Sequence, residues 1–371
     1  MATAQCRPCA RRRTLHFTVH PDPHPGTHPE FRADLRLAAL NQWLNAQLAG
    51  KAHALAPASE DASFRRYFRI TFKDPEERSL IAMDAPPDKE KCEPFLRVAR
   101  LFAAAGAHVP TVHAQDPDNG FLLLEDLGAA TYLDRLCAPA SPADPVSDLY
   151  TSAIDTLVAI QLASRPGELP AYDEALLRRE LALFPDWYVS QQLGRELPPE
   201  DGRVLKTAFD AIVANNLAQP RVYVHRDYHS RNLMVCDPLP GVIDFQDAVY
   251  GPITYDLASL LKDAYVRWDE ERVIDWCVRY WERARRAGLP VSGDFASFYR
   301  DFEWMGVQRH LKVAGIFARL FHRDGKARYL ADMPLVLEYL HKACARYREL
   351  GPLAGLLERL HDRAGTTGYT F

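Results

Sequence analysis

Strand-like and helix-like patterns are segregated along this chain, and this segregation constrains the fold more than any other feature. Phe68, Ile70 and Phe72 alternate with polar residues, which is the two-residue repeat of a half-buried strand. Three further strand patterns precede Gly128, at residues 79–84, 111–115 and 121–125. After Gly128 the periodicity is mainly helical, over residues 147–164, 172–193, 203–217 and much of 255–347.

Shorter patterns complete this organisation. Residues 33–49 and the stretch from Phe95 to Gly106 have helical spacing, and brief strand patterns return at 221–224, 233–235 and 242–245. The chain is therefore predicted to have an α+β fold with a small β-rich N-lobe at 33–127 and a larger, mainly helical C-lobe at 128–371. A ligand is expected in the cleft between the lobes. Residues 1–32 are expected to be a disordered extension.

The strongest functional signal is the run His225-Arg226-Asp227-Tyr228-His229-Ser230-Arg231-Asn232, followed by Asp244. Phosphoryl transfer depends on aligning a hydroxyl and neutralising phosphate charge with metal. Asp227 can hold the attacking hydroxyl and accept its proton as a catalytic base. Asn232 and Asp244 offer the hard oxygen ligands that suit Mg²⁺. The pattern predicts ATP-dependent phosphoryl transfer, with His225 as a buried brace and Asp256 supporting the loop, although Asp256 could simply cap a helix.

Composition narrows the range of partners. The 45 basic and 49 acidic residues leave a formal charge of −4, which favours a small-molecule partner over nucleic acid or an anionic membrane. No apolar run is long enough to span a bilayer. Seven scattered cysteines are unlike a disulfide framework and favour a reducing compartment, so a cytoplasmic location is expected. The protein is also expected to be a monomer. Cys6 and Cys9, close to several histidines, leave a zinc site open as an alternative.

The catalytic pattern resembles the aminoglycoside phosphotransferase and choline kinase-like superfamily, which shares the protein-kinase fold. The resemblance implies an adenine-binding hinge at residues 124–128, in which Glu125 and Leu127 contact the nucleotide. It also implies a phosphate-covering loop at residues 59–67, although this loop lacks the usual glycines. The candidate nucleotide-binding residues outside the hinge are Ser59, Ala62, Ser63, Phe64 and Arg69.

One position departs from the protein-kinase pattern. Where a kinase has its strand lysine, this chain has Asp84, and a carboxylate cannot neutralise phosphate. We expect the missing positive charge to come from Arg69, Lys89 or Lys91, or to rest on Mg²⁺. An inactive nucleotide-binding regulator is the alternative hypothesis.

Four segments extend the resemblance to the anomeric kinases of N-acetylmuramate and N-acetylglucosamine, within that superfamily. These segments are 59–70, 83–87, 243–248 and 308–319. The resemblance implies phosphorylation of a sugar C1 hydroxyl in cell-wall sugar recycling. The sugar's polar groups need directional partners, and a lactyl carboxylate needs a cation such as Arg309 or Lys312, although these two could instead form a solvated helix face. The candidate acceptor-binding residues are His229, Gln246, Asp247, Gln308, Arg309 and Lys312.

An aminoglycoside, choline or other amino-alcohol acceptor is the competing hypothesis. Cationic acceptors call for a cluster of acidic side chains or an aromatic cage. The segment from Gln308 to Lys312 is basic instead.

Overall fold

The computed structural model describes residues 29–59, 64–74, 76–138 and 146–362. The described residues divide into two compact units, one drawn from 29–100 and 109–128, and the other from 101–108 and 129–362. Residues 1–28 of the predicted extension, which include the Cys6–Cys9 pair, lie outside the described residues. Residues 29–32, predicted to be disordered, are instead the start of a helix. In the described part of the chain, no helix combines the length and apolar character needed to cross a bilayer.

The first unit is a helix-backed antiparallel sheet. Its elements are α1 (Pro29–Gln47), β1 (His53–Ser59), β2 (Arg66–Phe72), β3 (Leu80–Asp84), β4 (Val112–Asp116), β5 (Phe121–Glu125) and the larger part of α2 (Cys92–Ala104), whose residues from 101 onward are assigned to the other unit. The strands run in the order β1-β2-β3-β5-β4, and every neighbouring pair is antiparallel. The sequence analysis predicted β2 to β5 but missed β1, whose alanines and proline lack an apolar alternation.

Alternation of side chains along β2 builds the core of this unit. Phe68 and Ile70 point inward, where Leu40 and Leu44 of α1 pack against them. Gly120 makes the predicted turn between β4 and β5 possible, because its φ is +76° and a Cβ atom would lie 1.8 Å from the Ala85 carbonyl oxygen.

The second unit is mainly helical. Its helices are α3 (Tyr132–Cys137), α4 (Val146–Leu162), α5 (Glu174–Leu183), α6 (Pro199–Ala218), α7 (Tyr255–Leu261), α8 (Glu270–Arg286), α9 (Phe295–His322), α10 (Met333–Arg346) and α11 (Gly351–Asp362). The single helix predicted over 172–193 is α5 followed directly by a π-helix, Phe184–Gln192. Helix α9 runs through the unit and packs against α5, α7, α10 and the π-helix.

Two short β-ribbons bring distant parts of this unit together. Strand β6 (Arg221–Val224) pairs with β9 (Val249–Pro252), and β7 (Leu233–Met234) pairs with β8 (Gly241–Val242). Both pairs are antiparallel. The loop after β6 and the loop after β8 carry Asp227 and Asp244, and these two loops begin close to each other, because His225 Nε2 lies 3.0 Å from the Ile243 carbonyl oxygen. The sequence analysis missed β9.

Candidate active site

The loop after β6 is held by the side chain of Asp256, at the start of α7. Its carboxylate accepts hydrogen bonds from the backbone amides of His225 at 2.6 Å and Arg226 at 3.0 Å. Arg226 has a φ of +78°, a conformation that a residue with a side chain seldom adopts without support. Burial raises the pKa of Asp256 to about 7, against the opposing effect of the two amides. These bonds fix the backbone that leads into Asp227.

His225 joins the two loops. Burial lowers the pKa of His225 to about 4, so the ring is neutral at physiological pH. Its Nε2 lies 3.0 Å from the Ile243 carbonyl oxygen, and its Nδ1 lies 3.3 Å from the backbone nitrogen of Asp227. A neutral ring that donates through Nε2 and accepts through Nδ1 satisfies both contacts. The ring thus contacts the backbone of both loops, and its bracing role stays a prediction.

Asp227, Asn232 and Asp244 lie together. The Asn232 Nδ2 donates to the Asp227 carbonyl oxygen at 3.0 Å and to Asp244 Oδ2 at 3.3 Å. An amide that donates through its nitrogen keeps its oxygen for a cation. The donor set, one amide oxygen and one carboxylate, fits Mg²⁺, which takes few protein ligands and is completed by water and phosphate oxygens.

The sequence analysis predicted that Asp244 lies on a strand, and this prediction was wrong. Strand β8 ends at Val242, and Asp244 has a φ of +64° in the turn that follows. The amide of Gln246 donates to Asp244 Oδ1 at 2.8 Å, so a side chain two residues along orients the carboxylate. The turn brings Asp244 back towards Asn232. A straight continuation of the strand would place Asp244 farther from Asn232.

Positive charge surrounds Asp227. Burial alone would raise the pKa of this carboxyl, but the charges of Lys312, His229, Arg309 and Arg226 lower it to about 2. The carboxylate is therefore ionised at any physiological pH. It can orient a hydroxyl group by accepting its hydrogen bond, and it can take the proton only as the hydroxyl oxygen forms its new bond.

Glu180, on α5, neutralises part of that charge. Its Oε1 lies 2.5 Å from Arg226 Nη2 and 3.2 Å from Lys312 Nζ, and its Oε2 accepts a hydrogen bond from Tyr172. The cations of Lys312 and Arg226 lower the pKa of Glu180, against the desolvation that would raise it. The sequence analysis missed Glu180, because an acidic residue in an Arg-Arg-Glu run is typical of a solvated helix face.

The residues predicted to bind the acceptor have different surroundings. Gln308 is completely buried and donates to the Leu177 carbonyl oxygen at 3.1 Å, so its amide is engaged with α5. Lys312 is committed to Glu180 and to the Tyr255 hydroxyl, 3.0 Å away. Asp247 is exposed.

Three other predicted acceptor residues are nearly buried and each has an unsatisfied polar atom. His229, Gln246 and Arg309 are 7%, 7% and 3% exposed, respectively. Among the described residues, His229 Nδ1, Gln246 Oε1 and Arg309 Nη1 have no hydrogen-bond partner. Buried polar atoms are costly when unpaired, so these three are suited to contact a ligand.

The candidate nucleotide residues belong to the other unit. Arg69 Nε lies 2.6 Å from Asp126 Oδ2, and Arg69 Nη2 donates to the Gly128 carbonyl oxygen at 2.8 Å. Glu125 accepts from the Thr111 hydroxyl at 2.8 Å. Leu127 is buried, whereas Phe64 is exposed and lies under the Lys89 ammonium. Ser59 ends β1, and Ala62 and Ser63 lie outside the described residues.

Asp84, at the position where a protein kinase has its strand lysine, is paired with two arginines of its own unit. It is fully buried, and its two carboxylate oxygens accept from Arg36 Nε and Arg66 Nε, each at 2.9 Å. Two arginines thus compensate one buried carboxylate, which ties α1 to the sheet. The presence of Asp84 in place of the kinase lysine is thus explained by its ion pairs with Arg36 and Arg66.

Comparison with known proteins identifies the family. Residues 54–289 match the sequence profile of the phosphotransferase enzyme family. The chain belongs to this family. It is 52% identical over 341 residues to the N-acetylmuramate/N-acetylglucosamine kinase of Pseudomonas aeruginosa, covering 89% of this chain and 98% of that protein. It is 49% identical over 337 residues to the enzyme of that name from Neisseria meningitidis, covering 91% and 99%.

Solved structures agree on the fold. The choline kinase of Cryptosporidium parvum matches with a TM-score of 0.56 at 10% identity, covering 88% of this chain and 99% of that one. The ADP-bound aminoglycoside phosphotransferase APH(2'')-Ib matches with a TM-score of 0.52 at 14% identity, covering 81% and 97%. At such identities the likeness shows the fold alone. The predicted superfamily resemblance and the α+β, protein-kinase-like fold are confirmed, and the chain is a kinase.

Proposed function

We propose that this kinase uses ATP and Mg²⁺ to phosphorylate the anomeric C1 hydroxyl of N-acetylmuramate, N-acetylglucosamine or both. The observation that carries the proposal is the 52% identity to a kinase named for these sugars, across 98% of its length. A role in recycling cell-wall sugars follows from the same relationship.

The roles proposed for the active-site residues rest on their geometry. Asp227 orients the C1 hydroxyl, whose oxygen attacks the γ-phosphorus of ATP. The new bond joins O1 to phosphorus, the bond from phosphorus to the β,γ-bridging oxygen breaks, ADP leaves, and the hydroxyl proton passes to Asp227. A C1 hydroxyl is more acidic than an ordinary alcohol, so it suits a base whose pKa is lowered to about 2.

Asn232 and Asp244 are proposed to hold Mg²⁺. A divalent cation there supplies charge neutralisation for the phosphate oxygens. The chain's own contribution is to hold the amide and the carboxylate in place, through the contacts of Asn232 with Asp227 and of Gln246 with Asp244.

The charge near the base favours a neutral or anionic acceptor. Arg226, Arg309 and Lys312 all act on Asp227. The carboxylate of Glu180 is already paired with Arg226 and Lys312. A cationic aminoglycoside or choline would meet net repulsion here. His229 and Gln246 can instead make directional contacts with sugar hydroxyl or acetamide groups.

Several predictions from sequence stay predictions. They are the lobe boundaries, the nucleotide contacts of Ser59, Ala62, Ser63, Phe64, Arg69, Glu125 and Leu127, the acceptor contacts of Asp247 and Gln308, the monomeric state and the cytoplasmic location. Arg69 would have to exchange Asp126 for a phosphate group if it is to bind ATP.

A coupled ADP-release assay tests the function. N-Acetylmuramate, N-acetylglucosamine, kanamycin and choline are offered as acceptors with ATP and Mg²⁺. We expect turnover of at least one of the two amino sugars, with ³¹P–¹H NMR correlating the new phosphate to the anomeric proton. Phosphate at C6, or turnover of kanamycin or choline alone, would contradict the proposal.

A further inference from the structure

Arg309 differs from every other buried charged side chain in the described part of the protein. Eight Asp, Glu, Lys or Arg side chains are buried there. Seven of them have a hydrogen-bond or ion-pair partner, namely Asp84, Glu180, Asp256, Lys262, Asp263, Glu303 and Lys312. Arg309 is only 3% exposed, yet among the described residues its guanidinium has no carboxylate within 4.0 Å, and Nη1 lacks any hydrogen-bond partner.

An unpaired buried guanidinium is expensive. An arginine does not escape the cost by losing its proton, because its pKa is too high. A buried charge is normally paired, and an unpaired one destabilises the folded protein. Such a group is retained at little cost only if a ligand supplies the anion.

The helix geometry directs Arg309 towards the catalytic loop. Residues three apart on a helix share a face, so Arg309 lies on the same face of α9 as Lys312, which reaches Glu180 and Tyr255. The adjacent Gln308 and His310 face other partners, the carbonyl oxygens of Leu177 and Lys262. The guanidinium is near enough to lower the pKa of Asp227 without forming an ion pair with it.

Lys312 is not available for an anionic ligand. Its ammonium group lies 3.2 Å from Glu180 Oε1 and 3.0 Å from the Tyr255 hydroxyl, and its side chain is 7% exposed. The sequence analysis named Arg309 and Lys312 as candidate partners for an acceptor carboxylate. Of these two, only Arg309 has no anionic partner in the described part of the protein.

We propose that Arg309 binds the carboxylate of an acidic amino-sugar acceptor and so determines specificity between N-acetylmuramate and N-acetylglucosamine. The proposal rests on the proposed function. The two sugars differ in the lactyl ether that carries the carboxylate, and a guanidinium is the side chain best shaped to bind a carboxylate. The neutral groups that both sugars share are left to His229 and Gln246.

The test compares both sugars in the wild-type enzyme and in the Arg309→Met variant, with kcat/KM as the readout. Met keeps an unbranched apolar stem and removes the charge. We expect kcat/KM for N-acetylmuramate to fall by about 10- to 100-fold relative to that for N-acetylglucosamine, since a charged hydrogen bond is lost. The methyl ester of N-acetylmuramate should be a poorer substrate than the acid for the wild type and an equal one for the variant.

Two further measurements separate this role from a structural one. The variant should keep or raise the wild-type melting temperature, because an unpaired buried charge is removed. Arg279→Met, which changes an exposed arginine on α8, should leave both kcat/KM values unchanged. Calorimetric titration measures the binding of N-acetylmuramate independently of turnover. It should show a loss of affinity in Arg309→Met that matches the loss in kcat/KM.

The outcomes distinguish the two proposals. An equal loss for both sugars would overturn the assignment of Arg309 and indicate contact with the transferred phosphoryl group. A large fall in melting temperature would overturn it in favour of a structural role. Failure of the wild type to phosphorylate either sugar would refute the proposed function, while unaltered binding of N-acetylmuramate by the variant would refute the role of Arg309.

Discussion

Glu180 and Lys312, 132 positions apart in the sequence, form an ion pair of 3.2 Å in which both side chains are less than 10% exposed. The same Glu180 oxygen also binds Arg226, the residue next to Asp227. One carboxylate on α5 therefore anchors a cation from α9 and the catalytic loop together.

Replacing Glu180 with Gln should destabilise the protein by about 3–5 kcal/mol, because the buried Lys312 and the half-buried Arg226 lose their counter-charge. Urea unfolding measures the change. Glu174→Gln is the matched control on α5, where an exposed pair with Arg178 is worth at most about 1 kcal/mol. Adding Lys312→Met to Glu180→Gln should recover part of the loss, and strict additivity of the two substitutions would argue against the ion pair.

Replacing Asp227 with Asn should lower kcat by about 10²- to 10⁴-fold, because the hydroxyl loses the carboxylate that orients it and accepts its proton. The melting temperature and the affinity for ATP should change little. Asp186→Asn, at an exposed position in the π-helix, serves as the control. Turnover within a few-fold of wild type in Asp227→Asn would remove Asp227 from the base role.

Replacing Asp244 with Asn should raise the Mg²⁺ concentration needed for half-maximal rate and lower the maximal rate, because a metal-binding carboxylate becomes a neutral amide. Rates measured across a Mg²⁺ titration report both effects, and chelation with EDTA should abolish turnover in the wild type. Asp237→Asn, at an exposed position before β8, should leave the titration unchanged. An unaltered Mg²⁺ requirement in Asp244→Asn would contradict the proposed metal site.

The stability of the protein should fall as the pH is lowered from about 6.5 to about 4. Burial lowers the pKa of His225 to about 4 and that of His310 to about 3, so the unfolded chain binds protons that the folded chain does not. The stability that these neutral rings contribute is complete above the unfolded pKa and is lost as the pH falls through the folded value. Asp256, with its pKa raised to about 7, acts in the opposite direction.

Each histidine contributes a slope of up to about 1.4 kcal/mol per pH unit in that window. Denaturant unfolding at several pH values measures how the free energy of unfolding changes with pH. His310→Gln should reduce this slope by the contribution of one histidine. An unchanged slope in His310→Gln would show that the His310 ring is not held neutral in the folded protein.

Gly315, in the middle of α9, should not tolerate alanine. A Cβ atom there would lie 2.3 Å from the Leu183 carbonyl oxygen, so Gly315→Ala should destabilise the protein by about 1–3 kcal/mol through overpacking. A Cβ atom added to Gly202, in α6, would meet no other atom within 4 Å, and Gly202→Ala should stabilise the protein by about 0.5–1 kcal/mol. Equal effects of the two substitutions on thermal stability would contradict the close approach of α9 to Leu183.

Local patterns accounted for much of the fold. The two-residue alternation in β2 and the helical periodicity of α4 and α6 follow from side-chain direction along a single element, so they are visible in sequence. The strands β1 and β9 were missed because their short, small or polar residues carry no such alternation. They are strands only because a partner strand satisfies their backbone.

The candidate catalytic residues were equally accessible, because His225, Asp227, Asn232 and Asp244 lie within twenty residues and their spacing carries the chemistry. The sequence by itself also determined the family and the basic character of the segment from Gln308 to Lys312. It could not say which of those charges is neutralised. Only packing of α5 against α9 buries Glu180 beside Lys312 and leaves Arg309 unpaired, since the fate of a charge depends on neighbours that are distant in sequence.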